Sequence, residues 1–297
     1  MRQTTLKEAI VFKGIGLHTG KLVTMTVKPA ECNHWYKFKR IDLPEQPVID
    51  ALASNVVDTS RGTTIGKNST TVATIEHLMA ALYAMNVDNV LVEIDAPETP
   101  ILDGSAIQYV EAIRKVGIVA QNEERKVVQL PHCEYVSPDG KVLISSDVSD
   151  KSEYDVTIDF GENLPRQRVQ LTDLQYFAEE FAKCRTFVFL HEILLLIENN
   201  LIKGGSLDNA IVFVTQAVSG EYLQKLAVFF NKPEVKVLKE GILNTIELYY
   251  PNEAARHKLL DLVGDMALLG CRFNGKITGI RPGHKANTEF CKMVANL

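Results

Sequence analysis

The sequence lacks the features that mark membrane proteins and secreted, disulfide-rich proteins. Its longest nearly apolar run, residues 187–197, is interrupted by His191 and Glu192 and is far shorter than the ~20 residues that a membrane-spanning helix needs. No apolar stretch follows the first basic residue, Arg2, so no signal peptide is evident. The five cysteines form no CxxC pair, and we interpret them as reduced thiols of a cytoplasmic protein.

An excess of basic residues is also missing. The net charge of −5 provides no basic field of the kind that binding to nucleic acid needs. What is present is apolar material: hydrophobic residues make up 46% of the 297 residues and charged residues 23%, which is typical of folded domains. A chain of this length is expected to form about two domains.

Local patterns predict a mixed fold in both halves of the chain. Apolar residues at helical spacing predict helices, and β-rich runs between turns predict strands. In the first half we predict strands over residues 23–27 and 89–94 and helices over 71–82 and 107–116. In the second half we predict strands over 127–130, 142–145, 154–160 and 276–280, helices over 174–182 and 254–269, and a helix plus a hairpin within 214–250.

This combination of strands with two helices in each half lacks the strict β–α alternation of a parallel sheet and therefore predicts an α+β fold. The polar segment 121–126 is the best candidate for a domain boundary. We accordingly expect a first domain over residues 1–125 and a second domain over 126–297, with an insertion at about 215–250.

The segment 255–265 carries a histidine and two carboxylates in helical register. His257 and Asp261 are four residues apart, so both project from one face of the predicted helix, and Asp265 follows one turn later. An imidazole and a carboxylate at this spacing can chelate a divalent metal such as zinc. The alternative is a solvated His–Asp pair on an exposed helix face.

Two other segments carry ionisable residues that suit a site. Glu76 and His77 are adjacent on a predicted helix of mainly apolar or small residues, where they indicate either the rim of a core or a metal ligand beside a general base. The HExxH spacing of zincins is absent, so the ligands of any metal must come from separate segments. His284 follows the turn at residues 281–283 and is either a solvent-exposed loop histidine or one directed toward a site.

Several motifs in a fixed order resemble the UDP-3-O-acyl-N-acetylglucosamine deacetylases, zinc enzymes that commit material to lipid A synthesis. The resemblance extends over nearly the whole chain. The matching segments are residues 14–20 (GIGLHTG), 74–82 (TIEHLMAAL), 88–89 (DN), 96–106 (APETPILDGSA), 184–187 (CRTF), 204–210 (GGSLDNA), 257–265 (HKLLDLVGD) and 283–284 (GH).

The resemblance implies two similar domains, each with two helices packed on a small β-sheet, and an active site between the domains. It also implies that the zinc ligands are His77 from the first domain and His257 with Asp261 from the second. Three protein ligands leave the fourth position of a catalytic zinc open for water. Iron(II) also suits two histidines and one carboxylate.

Roles for the neighbouring polar residues follow from the same resemblance. Glu76 is expected to act as the general base, and Thr186 and protonated His284 as donors to the oxyanion. We expect Asp265 to orient His284 and keep it cationic, and either His284 or Glu76 to protonate the leaving amine. Lys258 is expected to meet the anionic nucleotide sugar; the alternative is an ordinary exposed lysine.

The resemblance further implies an apolar passage for a long 3-hydroxyacyl chain, and places His18 near the nucleotide. Plain core positions would have the same composition as such a passage. Two segments depart from the family pattern: relatives often carry bulkier apolar residues at 60–62, and the segment 215–250 is longer than the family leads us to expect. The residues expected to line the passage are Phe187, Ile193, Gly205, Ser206, Ala210 and Val212.

We therefore expect a zinc-dependent amide hydrolase that removes the N-acetyl group of UDP-3-O-(3-hydroxyacyl)-N-acetylglucosamine. The alternatives are a non-catalytic relative that binds nucleotide sugars and the deacetylase part of a fusion with a 3-hydroxyacyl-carrier-protein dehydratase. A structural zinc protein would need a fourth protein ligand, which the motifs do not offer. We expect a monomer that takes an acylated UDP-sugar as substrate, with no nucleic-acid partner and no transmembrane segment.

Overall fold

The computed structural model of the chain describes residues 1–162, 164–198 and 203–297. In the first half the strands are β1 (Arg2–Leu6), β2 (Ile10–Ile15), β3 (Leu22–Pro29), β4 (Tyr36–Arg40), β5 (Val48–Asp50), β6 (Val56–Asp58), β7 (Thr64–Lys67), β8 (Thr70–Val72), β9 (Val90–Ile94) and β10 (Ile118–Glu124), and the helices are α1 (Glu76–Ala84) and α2 (Ile107–Val116). In the second half the strands are β11 (Val127–Gln129), β12 (Cys133–Val136), β13 (Leu143–Asp147), β14 (Ser152–Ile158), β15 (Gln167–Leu171), β16 (Phe187–Phe189), β17 (Ile211–Phe213) and β18 (Arg272–Ile280). Its helices are α3 (Phe177–Glu180), α4 (Leu190–Glu198), α5 (Gly220–Phe229), α6 (Glu253–Met266) and α7 (His284–Ala295). This content confirms the predicted α+β class.

Each half contains a sheet with the same strand order and the same strand directions. In the first half the order is β2-β3-β9-β4-β5, and neighbouring strands are antiparallel except β9 and β4. In the second half the order is β12-β13-β18-β14-β15, and the parallel neighbours are β18 and β14. The central strand of each sheet lies between two helices in the sequence, α1 and α2 or α6 and α7. The predicted boundary at residues 125/126 falls between β10 and β11 and stays a prediction.

Helices α1 and α6 pack against each other where the two halves meet, and both are largely buried. Gly264 of α6 allows this close approach, because a Cβ at that position would lie 2.1 Å from the carbonyl oxygen of Glu76. A buried ion pair also joins the halves: Arg272 Nε lies 2.9 Å from Asp88 Oδ1. The first turn of α1 therefore packs against the last turn of α6, and the ion pair joins the two halves beside this contact.

In each half, one segment runs from the sheet, at its last strand before the first long helix, to that helix, α1 or α6. The short connection, residues 51–75, joins β5 to α1 and contains the small antiparallel sheet β6-β7-β8. The long connection, residues 172–252, joins β15 to α6; in it β16 and β17 pair in parallel. Its apolar side chains form a core of their own beside the main one. This satellite cluster consists of Leu190, Ile193, Leu207, Val212, Val214, Leu226, Ala227, Val235 and Leu243.

Most predicted elements are confirmed, and the errors lie at their ends. The predicted helix over 107–116 is α2, which ends at Val116 directly before Gly117, where φ is 77°. The helix predicted over 71–82 begins only at Glu76, because Thr70–Val72 pair with β7. In addition, Thr74 has φ of 59°, a left-handed conformation that an α-helix does not contain.

The end of the chain corrects a second expectation. His284 does not lie in a loop: it is the first residue of α7, which buries Ala286, Phe290 and Val294 on one face. The second long helix of the second half is therefore α7, and the predicted helix over 174–182 shrinks to the short α3 after a turn of 3₁₀ helix. Within the described ranges, no helix is both long enough and apolar enough to cross a membrane.

Candidate active site

Three predicted metal ligands meet at the contact between α1 and α6. The Nε2 atoms of His77 and His257 lie 3.8 Å and 3.3 Å from Asp261 Oδ1. One donor atom from each of the three residues lies within 4.8 Å of the others. All three side chains are buried. The helical spacing that was predicted for His257 and Asp261 is therefore present, and His77 reaches them from the other half of the molecule.

The surroundings of these residues suit a bound cation. Burial lowers the pKa values of His77, to about 3, and of His257, so both imidazoles are neutral and keep a free electron pair for a metal. His257 Nδ1 donates to the Cys184 carbonyl oxygen at 3.0 Å, which turns Nε2 toward Asp261. Lys258 Nζ donates to Asp261 Oδ2 at 2.9 Å. Asp261 Oδ1 is buried and accepts no hydrogen bond from the described part of the chain. The group could hold a metal ion.

Glu76 lies at the start of α1, directly before His77, and its carboxylate is held by the short connection. The backbone N–H of Thr63 donates to Glu76 Oε2 at 2.9 Å. Residue 62 is glycine, and a Cβ there would lie 2.8 Å from Glu76 Oε1. Burial raises the pKa of Glu76 to about 7, although the neighbouring His284 opposes this. The carboxylate is therefore poised to exchange a proton near neutral pH.

His284 faces Glu76 across the same space. Its Nε2 lies 3.9 Å from Glu76 Oε1 and 3.9 Å from Asp261 Oδ2, and its Nδ1 donates to Asp265 Oδ2 at 2.9 Å. Burial alone would lower the pKa of His284, but the Asp265 carboxylate outweighs burial and raises the pKa to about 9. The imidazole is therefore cationic at neutral pH and can donate a proton.

Asp265 itself is fully buried and held from three sides. Besides His284, the hydroxyl of Thr63 donates to its Oδ1, and Asn287 Nδ2 donates to its Oδ2 at 2.8 Å. Thr63 thus contacts both Glu76, through its backbone, and Asp265, through its side chain. Thr63 therefore helps to position both Glu76 and, through Asp265, His284 on the opposite side of the site.

A cavity of about 650 Å³ opens from this centre, within the usual volume range of ligand sites. Burial lowers the pKa of Lys258, but Asp261 outweighs burial and raises it, so the side chain is cationic, and its Nζ lies 5.5 Å from the centre of the Phe187 ring. The structure brings to this cavity the predicted oxyanion donor Thr186 and all the residues predicted for the passage and the nucleotide side: His18, Phe187, Ile193, Gly205, Ser206, Ala210 and Val212.

The side of the cavity that holds Thr186 is fixed to α6 and to the first half. Arg185 Nε lies 3.0 Å from Glu253 Oε1 at the start of α6, and both side chains are buried. The backbone N–H of Thr186 donates to the Gly104 carbonyl oxygen at 2.8 Å. Gly104 has φ of 81°, and a Cβ there would lie 1.9 Å from the Asn209 carbonyl oxygen, so this contact requires glycine.

Sequence reasoning did not identify several residues that the structure places at the site. Thr63 and Asn287 support Asp265, Phe160 and Phe230 line the cavity, and Glu98 binds the turn that carries His18. Asn287 lies three residues after His284, so helical spacing was a signal for it. Phe160 and Phe230 carried no such signal, because only the folded chain brings them to the cavity.

Comparisons with known proteins agree with this geometry. The family described as "LpxC: UDP-3-O-acyl N-acetylglycosamine deacetylase" matches residues 3–226 and 232–296. A protein of Citrifermentans bemidjiense named UDP-3-O-acyl-N-acetylglucosamine deacetylase is 38% identical over 294 residues, which cover 97% of this chain and 87% of that protein.

Two longer relatives are each named bifunctional enzyme LpxC/FabZ. The protein of Porphyromonas gingivalis is 44% identical and that of Bacteroides thetaiotaomicron 43% identical, each over 99% of this chain. The chain spans 64% of the length of both relatives, and it aligns with their deacetylase part. The resemblance of the sequence motifs is thus confirmed: the chain belongs to the UDP-3-O-acyl N-acetylglycosamine deacetylase family.

Proposed function

We propose that this chain is a zinc-dependent amide hydrolase that removes the N-acetyl group of UDP-3-O-(3-hydroxyacyl)-N-acetylglucosamine, the committed step of lipid A biosynthesis. Water adds across the amide C–N bond: its hydroxyl goes to the acetyl carbon and its proton to the nitrogen, so acetate and a free amine result. The observation that carries the proposal is the meeting of a His-His-Asp group with Glu76 on one side and His284 on the other. The names of the relatives support the substrate class.

His77, His257 and Asp261 are the residues that would hold the metal. Two neutral imidazoles and one carboxylate are a donor set that zinc accepts, with a position left open, and iron(II) also suits the set. The buried Oδ1 of Asp261 supports this role, because a carboxylate oxygen without a hydrogen bond is costly to bury unless a cation contacts it. When bound, the metal would polarise the amide carbonyl and acidify a water molecule.

Glu76 is the proposed general base. Its pKa of about 7 lets it be ionised before the reaction and protonated during it. The hydrogen bond from the backbone of Thr63 fixes Oε2, and Oε1 is left facing His284. The carboxylate of Glu76 is therefore held in a fixed position at the junction of the two halves and does not need to be ordered when the substrate binds.

His284 is the proposed acid and a donor to the developing oxyanion. Asp265 holds its Nδ1 and keeps the ring cationic, so Nε2 is the atom that can donate toward the substrate. The Thr186 hydroxyl is proposed as a second donor, since Thr186 lines the same cavity. Lys258 places a further positive charge beside Asp261, where it would favour an anionic substrate.

The apolar part of the cavity is the proposed site of the 3-hydroxyacyl chain, and the side near His18 is the proposed site of the nucleotide. His18 is tied to that side by its Nε2, which donates to the Arg61 carbonyl oxygen at 3.2 Å. The cytoplasm is the proposed location, because all five cysteines are free, as a reducing compartment requires.

The test is release of acetate from the acylated UDP-N-acetylglucosamine substrate, measured before chelation, after chelation and after zinc is added back. We expect activity that vanishes with the chelator and returns with zinc. A protein that binds one equivalent of zinc and the substrate but releases no acetate would contradict the proposal and favour a non-catalytic nucleotide-sugar-binding role.

A further inference from the structure

The segment 215–250 packs beside the cavity, and the family model matches it except for residues 227–231. Its helix α5 begins after Ser219, whose hydroxyl accepts from the backbone N–H of Tyr222 at 3.2 Å. Two residues of α5, Leu226 and Ala227, are buried in the satellite cluster. The helix is therefore part of a packed core and not a surface appendage.

Backbone and side-chain bonds tie this segment to the residues that line the cavity. The N–H of Leu243 donates to the Val212 carbonyl oxygen at 3.1 Å. Just after α5, Lys232 Nζ lies 2.6 Å from Oδ2 of Asp208, which belongs to the motif at residues 204–210. Val212 and parts of that motif line the cavity, so the position of α5 relative to the cavity is fixed.

Phe230 is the residue through which this segment reaches the cavity. It caps the C-terminal end of α5, lines the cavity, and packs against the satellite cluster. Three members of that cluster, Ile193, Leu207 and Val212, line the cavity as well. The metal group, in contrast, lies at the α1–α6 contact in the main core. Phe230 therefore belongs to the part of the cavity wall that the satellite cluster forms, and it is not one of the residues of the metal group.

We propose that Phe230 limits the length of the acyl chain that the cavity accepts. This inference rests on the proposed function, because it assigns the apolar part of the cavity to the 3-hydroxyacyl chain. An aromatic ring in the wall of an apolar passage occupies volume that further carbons of the chain would otherwise fill. A smaller residue would leave room for further methylenes, and a larger one would exclude some that now fit.

The neighbouring residue Phe229 provides a matched control. It has the same side chain and lies on the same turn, but it is 52% exposed and does not belong to the lining of the cavity. Replacement of Phe229 removes the same side-chain atoms, and with them a ring whose centre lies 4.9 Å from the centre of the Phe230 ring, but it removes no residue of the cavity lining. A general loosening of the segment would affect both variants, whereas a limit on chain length is specific to Phe230.

The experiment measures kcat/KM for substrates whose 3-hydroxyacyl chains increase by two carbons, in the wild type, Phe230→Ala, Phe230→Leu, Phe230→Trp and Phe229→Ala. We expect Phe230→Ala to move the preferred length upward and Phe230→Trp to move it downward. Phe230→Leu should lie between the wild type and Phe230→Ala, and it covers the case in which Phe230→Ala folds poorly. Each newly accommodated methylene should raise kcat/KM about fourfold, the factor equivalent to ~0.8 kcal/mol per buried CH₂.

Equilibrium binding of the same substrates, measured by calorimetry, separates this inference from the proposed function. A length preference that is identical in the wild type and all Phe230 variants would overturn the inference even if acetate is released. If the wild type releases no acetate but Phe230→Ala binds longer chains more tightly, the proposed function fails and the role of Phe230 stands. Equal shifts in Phe229→Ala and Phe230→Ala would also contradict the inference.

Discussion

The short connection before α1 and the long connection before α6 occupy the same place in two sheets of the same topology, yet they contribute different things to the site. The short connection contributes polar contacts: Thr63 binds both Glu76 and Asp265. The long connection contributes a large part of the apolar lining of the cavity, including Phe187 and Phe230, and a core of its own. The same sheet topology thus occurs twice, and in our proposal one connection holds the catalytic carboxylate and the other lines the site of the acyl chain.

The two helices that follow these connections differ in a similar way. In α1 the functional residues, Glu76 and His77, lie in the first turn, whereas in α6 they extend along the helix from His257 to Asp265. Neither helix holds a complete site. Because the proposed base and one proposed metal ligand come from α1 and the other proposed ligands from α6, the proposed site exists only while the two helices stay in contact.

The largest effect should come from replacing the proposed base, Glu76, in the first half. Glu76→Gln keeps the size of the side chain and removes its ability to take a proton, so we expect kcat to fall at least ~10²-fold. Metal content should stay unchanged, because Glu76 is not one of the three grouped ligands. Steady-state kinetics with metal analysis checks this; near-normal turnover would remove Glu76 from its assigned role.

The contact between the two helices can be broken at Gly264. A Cβ there would lie 2.1 Å from the Glu76 carbonyl oxygen, so Gly264→Ala should lower the free energy of unfolding by about 1–3 kcal/mol and reduce kcat. The matched control is Gly220→Ala in α5, where a Cβ would meet nothing within 4 Å. Chemical denaturation of both variants gives the comparison, and equal stability of Gly264→Ala and the wild type would contradict the close approach.

The pH profile separates the contributions of the two halves. Activity should rise with pH as Glu76 of the first half ionises, with a pKa of about 7, and fall as His284 of the second half loses its proton, with a pKa of about 9. A bound divalent cation favours the deprotonated forms and moves both limbs to lower pH. Along each limb, below the lower pKa and above the higher pKa, kcat/KM should change about tenfold per pH unit.

The variant Asp265→Asn sharpens that comparison. It removes the carboxylate that raises the pKa of His284, so the descending limb should move to lower pH while the ascending limb moves less. A profile with an unchanged descending limb would show that His284 is not the acid.

A smaller effect is expected at Thr63 of the short connection, which contacts Glu76 of the first half and Asp265 of the second. Thr63→Val removes the hydrogen bond to Asp265 and keeps the backbone donor to Glu76; we expect kcat to fall about tenfold with KM little changed. Thr63→Ser retains the hydroxyl and should restore most of the activity. Equal kcat values in the Val and Ser variants would mean that the hydroxyl does not position Asp265.

The sequence correctly predicted those features of the structure that depend on residues close together in the chain. The spacing of His257 and Asp261 follows from helix geometry, and the limits of α2 follow from its apolar positions and Gly117. It failed where distant residues decide the outcome. The polar residues of β10 are a strand because β1, at the other end of the first half, pairs with them. The dual contact of Thr63 depends on residues as far away as Asp265.

The central claim is that a single metal site is shared by the two halves of the molecule. It is tested most directly by the metal content of the wild type, His77→Ala and His257→Ala, measured after dialysis against metal-free buffer and brief exposure to zinc. The account predicts about one equivalent of zinc per chain in the wild type and a loss of retained zinc in both variants, since each removes one of three protein ligands. A His77→Ala protein that still retains a full equivalent of zinc would contradict it, because the site would then belong to the second half alone.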